Sequence, residues 1–368
     1  MAIVKIYIDQ FLELAKDHPI IDVRSPAEYQ HAHIPGAYSL PLFTDEERKM
    51  VGTAYKQESR EKAIKLGLDF FGPKMRQMVE EVESLVNSYE SIVYENSRLS
   101  PINSLLIYCW RGGMRSEAVA RLMDLYGFKV YTLVGGYKKF RNYVLDTFKL
   151  PFQFKVLGGY TGSGKTETLK ALRQKGELVI DLEDIAKHKG SAFGNIGMPA
   201  QPTQEMFENV LSCELRKILE ASPEGGGLVG AWLEDESQRI GNLNIPHDLW
   251  NTMRQSPVYF LDIPFDERLT HIVREYGGLE RQSIIDAIGR IREKLGGLNA
   301  KTAIRLLEEG NTIESFRILL EYYDRFYFKA LHNREQLNSL LYTVECNSVT
   351  SENASQLIHH PQYETEKL

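Results

Sequence analysis

The sequence predicts an α/β protein with two domains, each built on a parallel sheet, and a helical part near the C-terminus. Three observations support this prediction. The chain has 368 residues, and a domain usually takes about 100–200 residues. Short β-like runs alternate with helical patterns from the N-terminus to about residue 140, an order typical of a parallel sheet covered by helices. A second series of the same kind begins after Leu150-Pro151.

The first domain is expected over residues 1–145. Its strands are predicted where runs of β-branched and aromatic residues are bounded by turn residues. These runs are Ile3–Ile8, Pro19–Val23, Leu105–Tyr108 and Lys129–Val134. Between the second and third runs lies a charged stretch, residues 45–100, in which apolar residues such as those of Lys74–Val86 recur at helical spacing. We therefore expect a helical insertion between these two strands.

The second domain is expected over residues 152–350. It begins with a strand at Phe154–Gly158, a helix at Lys165–Lys175 and a strand at Leu178–Asp181. Further strands are predicted at Leu228–Leu233 and Val258–Asp262, and amphipathic helices at Asp266–Tyr276, Gln282–Lys294 and Thr312–Leu331. The remaining residues, 351–368, form a polar tail that we expect to be poorly ordered.

Composition and charge exclude several classes of protein. With 43% hydrophobic and 26% charged residues, the chain is neither collagen-like nor disordered. Its net charge of −6 means that any binding of nucleic acid needs a local basic surface. The N-terminus lacks the pattern of a signal peptide, and no apolar run approaches the length of about 20 residues that spans a bilayer. We expect a cytoplasmic protein that does not bind membranes.

The cysteines argue against a disulfide framework and against a cysteine-ligated zinc site. There are three of them, an odd number, and they are widely spaced. Cys213 lies in a helical pattern and Cys346 in an apolar, strand-like run, so we expect both in the core.

Cys109 stands apart because it lies where a predicted buried strand ends and a helix begins. Backbone N–H groups that point into such a loop, and the dipole of the helix, favour the nucleophilic thiolate. We predict Cys109 as the nucleophile and Arg115, six residues later, as a clamp for an oxyanion. The other residues of this predicted anion loop are Trp110, Arg111, Gly112, Gly113, Met114 and Ser116.

A phosphate-binding loop is predicted at residues 159–166, which read Gly-Tyr-Thr-Gly-Ser-Gly-Lys-Thr. This is the complete P-loop pattern, and it lies between a predicted strand and a predicted helix. Backbone N–H groups would surround the phosphates, Lys165 would contact terminal oxygens and Thr166 would ligate Mg²⁺. The predicted phosphate-binding residues are Gly159, Thr161, Gly162, Ser163, Gly164, Lys165 and Thr166.

Mg²⁺ is the ion that this motif implies, and no tightly bound cofactor is expected. Asp181, at the end of a predicted strand, is a second candidate ligand beside Thr166, as are Glu234 and Asp235. Carboxylates in such positions also cap helices, so both uses stay open.

The segment from Pro19 to Ala37 resembles the opening signature of the rhodanese fold. It contains Asp22-Val-Arg24 and Ser25-Pro-Ala-Glu28, which suit a strand end and a helix cap, so we expect a structural role. Rhodanese sulfurtransferases usually have a loop one residue shorter than Cys-X5-Arg. The longer loop of this chain resembles that of rhodanese-fold phosphatases and arsenate reductases, which suits a phosphate-like group.

Across nearly the whole chain, the sequence resembles the tRNA 2-selenouridine synthase family. The motifs that carry this resemblance occur in the same order as in the family. They are Tyr108–Ser116, Gly135–Lys138 with Phe140-Arg141, Gly162–Thr166, Asp181–Glu183, His188–Ser191 with Phe193-Gly194, Gln201-Pro202, Phe207–Asn209, Glu234–Ser237 and Arg239–Gly241.

The resemblance implies a transferase that acts on tRNA. Such an enzyme replaces the sulfur of wobble 2-thiouridine with selenium from selenophosphate, after geranylation of that sulfur by geranyl diphosphate. Cys109 would then carry selenium as a perselenide while Arg115 and the loop amides hold the phosphate group. Residues 159–166 would hold the diphosphate of the geranyl donor, although a nucleotide suits the same loop. Tyr137 and Trp232 could stack on a base or pack in the core.

Three other functions are compatible with the residues. A rhodanese-fold cysteine phosphatase could be regulated by a nucleotide-binding P-loop domain. A nucleotide-gated RNA-binding protein could use its first domain as a scaffold. A kinase would need a basic lid, for which Arg268, Arg274 and Arg281 are candidates.

Overall fold

The computed structural model describes residues 3–94, 103–221 and 230–360. The chain divides into two compact units, an N-terminal unit that ends at Asp146 and a C-terminal unit that begins at Thr147. The main sheet of each unit has five parallel strands, which confirms the predicted α/β class. Within the described ranges, none of the helices combines the length and apolar character needed to cross a membrane.

The N-terminal unit contains the four predicted strands and one further short strand. Its strands are β1 (Val4–Ile6), β2 (Ile20–Asp22), β3 (Tyr38–Ser39), β4 (Ser104–Tyr108) and β5 (Lys129–Leu133). They form a sheet in the order β1-β5-β4-β2-β3. β4 is the central strand, and all its described residues after Ser104 are buried. The loop that contains Cys109 therefore leaves the middle of the sheet.

The predicted helical insertion is confirmed between β3 and β4, up to residue 94. Residues 95–100, its last predicted part, lie outside the described residues. The helices of this unit are α1 (Ile8–Leu14), α2 (Pro26–His31), α3 (Asp45–Gln57), α4 (Arg60–Phe71), α5 (Met75–Tyr94), α6 (Met114–Tyr126) and α7 (Gly136–Thr147). Phe43, Phe71 and Val82 belong to the same buried cluster as Ile107 and Cys109. The insertion therefore packs against the sheet beside the cysteine.

A buried ion pair connects three elements of the N-terminal unit. Arg24, 1% exposed, donates from Nε and Nη2 to the two carboxylate oxygens of Asp22 at 3.0 and 2.6 Å. The hydroxyl of Tyr108 donates to the same carboxylate at 2.7 Å. The guanidinium carbon also lies 3.9 Å from the centre of the Tyr137 ring. The pair thereby connects the end of β2 to the end of β4 and the first turn of α7, as its structural role predicts.

The C-terminal unit is built on a second parallel sheet. Its strands are β6 (Phe154–Gly159), β7 (Val179–Ile180), β8 (Ala231–Glu234), β9 (Arg239–Ile240), β10 (Leu243–Asn244), β11 (Val258–Asp262) and β12 (Leu341–Glu345). The sheet order is β12-β11-β6-β8-β7, and β9 and β10 form a separate antiparallel pair. β6, which leads into the phosphate-binding motif, is central. The strand predicted at 228–233 is observed as β8, and residues 228–229 lie outside the described part.

Most of the C-terminal unit after β11 is helical, as predicted. The helices of this unit are α8 (Lys165–Gln174), α9 (Leu182–Ala186), α10 (Gln204–Glu220), α11 (His247–Arg254), α12 (Phe265–Tyr276), α13 (Arg281–Arg290), α14 (Arg292–Leu295), α15 (Gly297–Glu308), α16 (Thr312–His332), α17 (Leu337–Leu340) and α18 (Asn353–Ile358). The single helix predicted at 282–294 is interrupted at Ile291. Sequence periodicity missed α15, whose first residue is the second glycine of the helix-breaking pair Gly296-Gly297.

The prediction of a poorly ordered tail from Ser351 is wrong for residues 351–360. Residues 353–358 form α18, in which Ala354 and Leu357 are fully buried in the cluster that contains Leu169 and Leu172 of α8. Burial of these two apolar side chains stabilises a helix that would be too short to form alone. Residues 361–368 lie outside the described part.

Replacing Arg24 with Leu should strongly destabilise the protein because the buried Asp22 carboxylate would lose its charged partner. Breaking a buried pair costs about 3–5 kcal/mol. Urea denaturation followed by circular dichroism measures this loss. Arg121→Leu is the control, since its partnership with Glu117 is largely exposed and should contribute less than about 1 kcal/mol. Equal midpoints for both variants would contradict the prediction.

Candidate functional site

The cysteine loop, residues 109–113, connects β4 to α6 and is held by the start of α7. The N–H groups of Tyr137 and Lys138 donate to the carbonyls of Cys109 and Trp110 at 2.9 and 3.0 Å. This approach requires glycine at position 136, where φ is +58° and a Cβ would lie 2.2 Å from the Cys109 carbonyl oxygen. The backbone of the loop is therefore fixed by hydrogen bonds from a neighbouring helix.

The thiol of Cys109 is buried but lies among groups that stabilise its ionised form. Its Sγ is 3.3 Å from the Gly113 nitrogen, which donates to it, and 3.2 Å from Oγ of Ser116. Burial alone would raise the pKa of Cys109. Hydrogen bonds from Ser116 and Gly113 and the charge of Arg115 outweigh burial, so the pKa falls below its usual value. A lowered pKa increases the fraction of Cys109 that is present as thiolate, the form of cysteine that acts as a nucleophile.

The other two cysteines have the opposite character. Burial raises the pKa of Cys213 and that of Cys346 to about 11. Both pack in the C-terminal unit, in α10 and directly after β12. Cys109 is therefore the most readily ionised of the three thiols in this chain.

Arg115, the predicted oxyanion clamp, forms an ion pair with Glu28. Its Nη1 and Nη2 donate to the two carboxylate oxygens at 2.6 and 3.3 Å. Glu28 also accepts from the N–H of Ser25 at 3.2 Å, and Arg48 lies 3.6 Å away. Burial opposes ionisation of Glu28, but these contacts outweigh it and lower its pKa. Sequence reasoning missed this partner, although the helix cap from Ser25 to Glu28 marked its position.

Of the other residues of the predicted anion loop, Gly112 packs closely against a strand, and three side chains are exposed. Gly112 has φ +66°, and a Cβ there would lie 2.4 Å from the carbonyl oxygen of Leu133, so the backbone approaches β5 closely. The side chains of Trp110, Arg111 and Met114 are exposed. They line the same groove as Cys109.

The phosphate-binding motif lies between β6 and α8, where its pattern predicts it. Nζ of Lys165 donates to the carbonyl of Gly159 at 2.9 Å, and the N–H of Gly159 donates to the hydroxyl of Tyr327 at 3.1 Å. The Ser163 hydroxyl is buried with no hydrogen-bond partner among the described residues. A buried hydroxyl and a lysine at a helix N-terminus are suited to phosphate oxygens.

The carboxylate that lies against Thr166 belongs to Glu183. The Thr166 hydroxyl donates to Glu183 Oε2 at 3.4 Å. Asp181, the carboxylate proposed from the sequence, accepts from the N–H of Asp184 at 2.8 Å and so caps α9. Capping was the other use that its position allowed. Sequence reasoning missed Glu183, whose signal was its place two residues after Asp181 in a strand–turn–helix segment.

Two further glutamates, Glu234 and Glu236, lie near Glu183. A Cβ at Gly190 would lie within 3.0 Å of carboxylate oxygens of both Glu183 and Glu236. Glu234, at the end of β8, is 1% exposed, and both its carboxylate oxygens lack hydrogen-bond partners among the described residues. Burial and mutual repulsion raise the pKa of Glu183 to about 7, that of Glu236 to about 8, and that of Glu234 well above its usual value. Lys165 opposes these shifts.

Asp235, the other candidate Mg²⁺ ligand from the same segment, forms structural contacts with two side chains of the C-terminal unit. Its carboxylate accepts from Arg334 at 2.6 Å and from the Tyr327 hydroxyl at 2.8 Å. Because Tyr327 also accepts from Gly159, this chain of contacts supports the start of the phosphate loop. Asp235 therefore supports the phosphate loop through Tyr327.

A cavity of about 660 Å³ lies over the phosphate loop. The three glutamates line part of it, together with Lys165 and Thr166. The aromatic residues that line it are Trp250, Tyr276, Tyr322, Tyr323, Phe326 and Tyr327. The cavity thus combines a phosphate-binding loop, carboxylates and an extensive aromatic surface.

Several side chains considered for RNA binding or for a lid are structural. Tyr137 and Trp232 are fully buried, so they pack in the core and cannot stack on a base. Arg268 is 3% exposed and bonds both carboxylate oxygens of Asp324 at 2.9 and 2.8 Å. It also donates to the Thr161 carbonyl at 3.0 Å, so it supports the phosphate loop and is not a mobile lid residue.

These two sites define a class of protein: a unit with a thiolate-stabilising cysteine loop, joined in one chain to a unit with a phosphate-binding loop. Comparison with family models agrees with this description. Residues 8–143 match the model of the rhodanese-like domain, and residues 152–356 match that of the tRNA 2-selenouridine synthase AAA domain. The chain belongs to the tRNA 2-selenouridine synthase family, which confirms the resemblance found in its motifs.

Relatives that carry the name tRNA 2-selenouridine synthase align along most of the chain. The protein of Bdellovibrio bacteriovorus is 33% identical over 377 residues, covering 91% of this chain and 94% of its own. That of Pseudomonas savastanoi pv. phaseolicola is 33% identical, covering 84% and 88%. That of Hydrogenovibrio crunogenus is 34% identical, covering 85% and 89%. Both units are therefore shared with these relatives.

Replacing Ser116 with Ala should raise the pKa of Cys109 because the thiolate would lose a hydrogen bond. The rate of Cys109 alkylation by iodoacetamide, followed by peptide mass spectrometry across pH, should show its inflection at higher pH than in the wild type. Glu117→Gln, a neighbouring exposed change on α6, is the control. An unchanged inflection in Ser116→Ala would show that this hydrogen bond does not stabilise the thiolate.

The free energy of unfolding should fall as pH rises from about 5 to about 8. In this range Glu183 and Glu236 stay protonated in the folded state but are ionised in the unfolded state. Their ordinary pKa is 4.5, and their folded values are about 7 and about 8, so the folded state binds more protons between these limits. Glu236→Gln should flatten this decline. Thermal unfolding midpoints of wild type and Glu236→Gln, measured with EDTA from about pH 5 to about pH 9, test this prediction. Exposed Glu335→Gln is the control and should follow wild type. A decline with pH that is equally steep in wild type and Glu236→Gln would contradict the prediction.

Proposed function

We propose that this protein replaces the sulfur of wobble 2-thiouridine in tRNA with selenium from selenophosphate, after geranylation of that sulfur by geranyl diphosphate. The observation that supports this proposal is the presence of a cysteine loop and a complete P-loop motif in one member of the tRNA 2-selenouridine synthase family. One site contains a nucleophile of lowered pKa. The other contains a complete phosphate loop beside an aromatic cavity.

Cys109 is the proposed acceptor of selenium. Its thiolate attacks selenium, an S–Se bond forms and the Se–P bond breaks, and the electron pair of that bond stays on phosphorus, which is reduced and leaves as phosphite. The loop amides and Arg115 would hold that oxyanion. The perselenide then forms a bond to C2 of the uridine as the C2–S bond breaks and the geranyl thiolate leaves. An external thiol supplies the two electrons that cleave the S–Se bond and release the selenouridine.

The P-loop is the proposed site of the geranyl donor. The sulfur of 2-thiouridine attacks C1 of geranyl diphosphate, the C–S bond forms and the C1–O bond leaves its electron pair on the diphosphate. Lys165, the loop amides and the buried Ser163 hydroxyl suit the charge that develops there. Aromatic faces such as those of Tyr322 and Phe326 suit both the apolar chain and positive charge on the allylic carbon.

Mg²⁺ is the proposed partner of the diphosphate. Among the described residues, no group of three or more His, Cys, Asp and Glu is arranged to hold a metal ion by itself. Mg²⁺ usually takes one or two carboxylates together with phosphate oxygens and water, and Thr166, Glu183 and the unpartnered Glu234 offer such a set. The ion would neutralise charge on the leaving diphosphate.

The tRNA backbone needs cations, and exposed ones occur on the helical part of the C-terminal unit. Arg292, Lys294 and Lys301 are exposed on α14 and α15, and Lys294 also lines the cavity over the phosphate loop. We assign to these side chains the contacts with RNA phosphates, which position a tRNA without reading its sequence.

Mass spectrometry of nucleosides tests the proposed function. Purified protein is incubated with tRNA that contains 2-thiouridine, selenophosphate, geranyl diphosphate, Mg²⁺ and dithiothreitol. Wild type should form 2-selenouridine. Cys109→Ala should lose it entirely, because the acceptor of selenium is gone, while Lys165→Ala should reduce S-geranylation by about 100-fold or more.

Matched controls separate the chemistry from folding. Cys213→Ala removes a thiol of raised pKa, and Lys170→Ala removes an exposed lysine of the same α8 helix, so both should retain activity. Intact geranylation in Lys165→Ala would refute the assignment of the P-loop. Unchanged tRNA with wild type, together with Cys109-dependent release of phosphate from an aryl phosphate, would instead favour the phosphatase function.

A further inference from the structure

An apolar groove opens at the cysteine loop of the N-terminal unit. It has a volume of about 450 Å³, which lies within the range of about 300–1,000 Å³ for small-molecule sites. Its lining comes from α3, α4 and the residues around Cys109, and Cys109 itself lies on it. The groove therefore joins an extended apolar surface to the nucleophile of the selenium step.

The apolar side chains of this groove are exposed to solvent. Tyr55, Ile64, Leu68, Trp110 and Met114 line it and are 52%, 38%, 58%, 38% and 47% exposed. Single exposed apolar residues are common, but a group of them along one groove indicates a surface that a ligand covers. Leu42 and Phe43 form its buried floor. The insertion helices thus supply an apolar face that the core does not use.

Positive side chains accompany this apolar face. Arg48, Lys56, Arg111 and Arg115 line the groove. Glu28 pairs with both Arg48 and Arg115. Its single negative charge therefore does not neutralise the positive charge of the four basic side chains. A ligand of matching character has an apolar chain linked to an anionic body. A nucleic acid that bears an alkyl chain on a base has this character.

We propose that this groove binds the geranyl chain of S-geranyl-2-thiouridine in the tRNA and thereby places its C2–S bond beside Cys109. The inference rests on the proposed function and names the form of the substrate that the cysteine site takes. The chain lies along Ile64, Leu68 and Trp110, while the RNA phosphates face the cations. Within the bound nucleoside, the C2–Se bond forms as the C2–S bond breaks: the electron pair of the C2–S bond leaves with the geranyl thiolate, and the geranyl chain itself stays intact.

This assignment gives the protein two separate sites for an apolar chain. The donor chain lies in the aromatic cavity over the P-loop, where the C–S bond forms. The same chain, now linked to the nucleoside, lies in the groove of the N-terminal unit, where selenium replaces sulfur. The groove therefore selects geranylated over unmodified 2-thiouridine at the selenium step, since burial of the apolar surface of the geranyl chain favours binding.

Selenation of two RNA oligomers tests the groove. One oligomer carries S-geranyl-2-thiouridine and the other S-methyl-2-thiouridine, so both present an alkylated leaving group and differ only in the chain. With selenophosphate and dithiothreitol, wild type should show kcat/KM at least about tenfold higher for the geranyl oligomer. In Ile64→Gln and Leu68→Gln, kcat/KM for the geranyl oligomer should fall by about tenfold while that for the methyl oligomer stays unchanged.

The control is Leu125→Gln, which changes a leucine of α6 that is 85% exposed and does not line the groove; its preference should equal that of wild type. S-geranylation of 2-thiouridine tRNA, measured without selenophosphate, should be the same in all these variants because the donor binds in the other unit. If the groove variants retain the wild-type preference, or lose geranylation as much as selenation, the groove assignment is wrong.

Calorimetry of the same oligomers without selenophosphate distinguishes failure of this inference from failure of the proposed function. Tighter binding of the geranyl oligomer by wild type, weakened in Leu68→Gln, supports the groove even if no selenouridine forms in any reaction. Selenation by wild type without any difference in affinity between the two oligomers refutes the groove and leaves the proposed function in place.

Discussion

Both sites depend on one constraint of parallel sheets: all strands end at the same edge, so the loops that follow neighbouring strands converge. The loop of Cys109 follows β4, and the phosphate loop follows β6; each of these strands is central in its sheet. In each sheet the adjacent strand delivers charged residues to that edge. β2 ends at Asp22 and supplies Arg24, while β8 ends at Glu234. Each site therefore takes its reactive residues and the charged residues that support or surround them from two neighbouring strands.

The two sites use charge in different ways. In the N-terminal unit, Arg115 is held by Glu28, and this carboxylate stays ionised because Ser25 and Arg48 also contact it. In the proposed function, the guanidinium is thus already positioned for an oxyanion, which reduces the reorganisation needed at reaction. In the C-terminal unit, three glutamates of raised pKa surround Lys165 and Thr166. Such a cluster is costly unless a cation joins it, which agrees with a ligand that brings Mg²⁺.

Each of the two units also has its own apolar surface. A reaction that alkylates a nucleoside and then replaces the alkylated group needs a place for the chain at both steps. The aromatic cavity and the groove beside Cys109 are each built within one unit, so in the proposed function each step has its own site for the geranyl chain. In the proposed function, the helical insertion between β3 and β4 also forms the groove for the geranyl chain, in addition to covering the core.

The sequence by itself determined the fold class, the two loops and the family, because these depend on local order: apolar strand, glycine-rich turn, helix. It also located Cys109 and residues 159–166, whose motifs are contiguous. Only the tertiary structure identified Glu28 as the partner of Arg115, 87 residues away, and Tyr327 as the contact of Gly159, 168 residues away. It also decided that Asp181 caps a helix while Glu183 contacts Thr166, and that Trp232 is core. Such pairings depend on which strands lie side by side, and local periodicity does not contain that information.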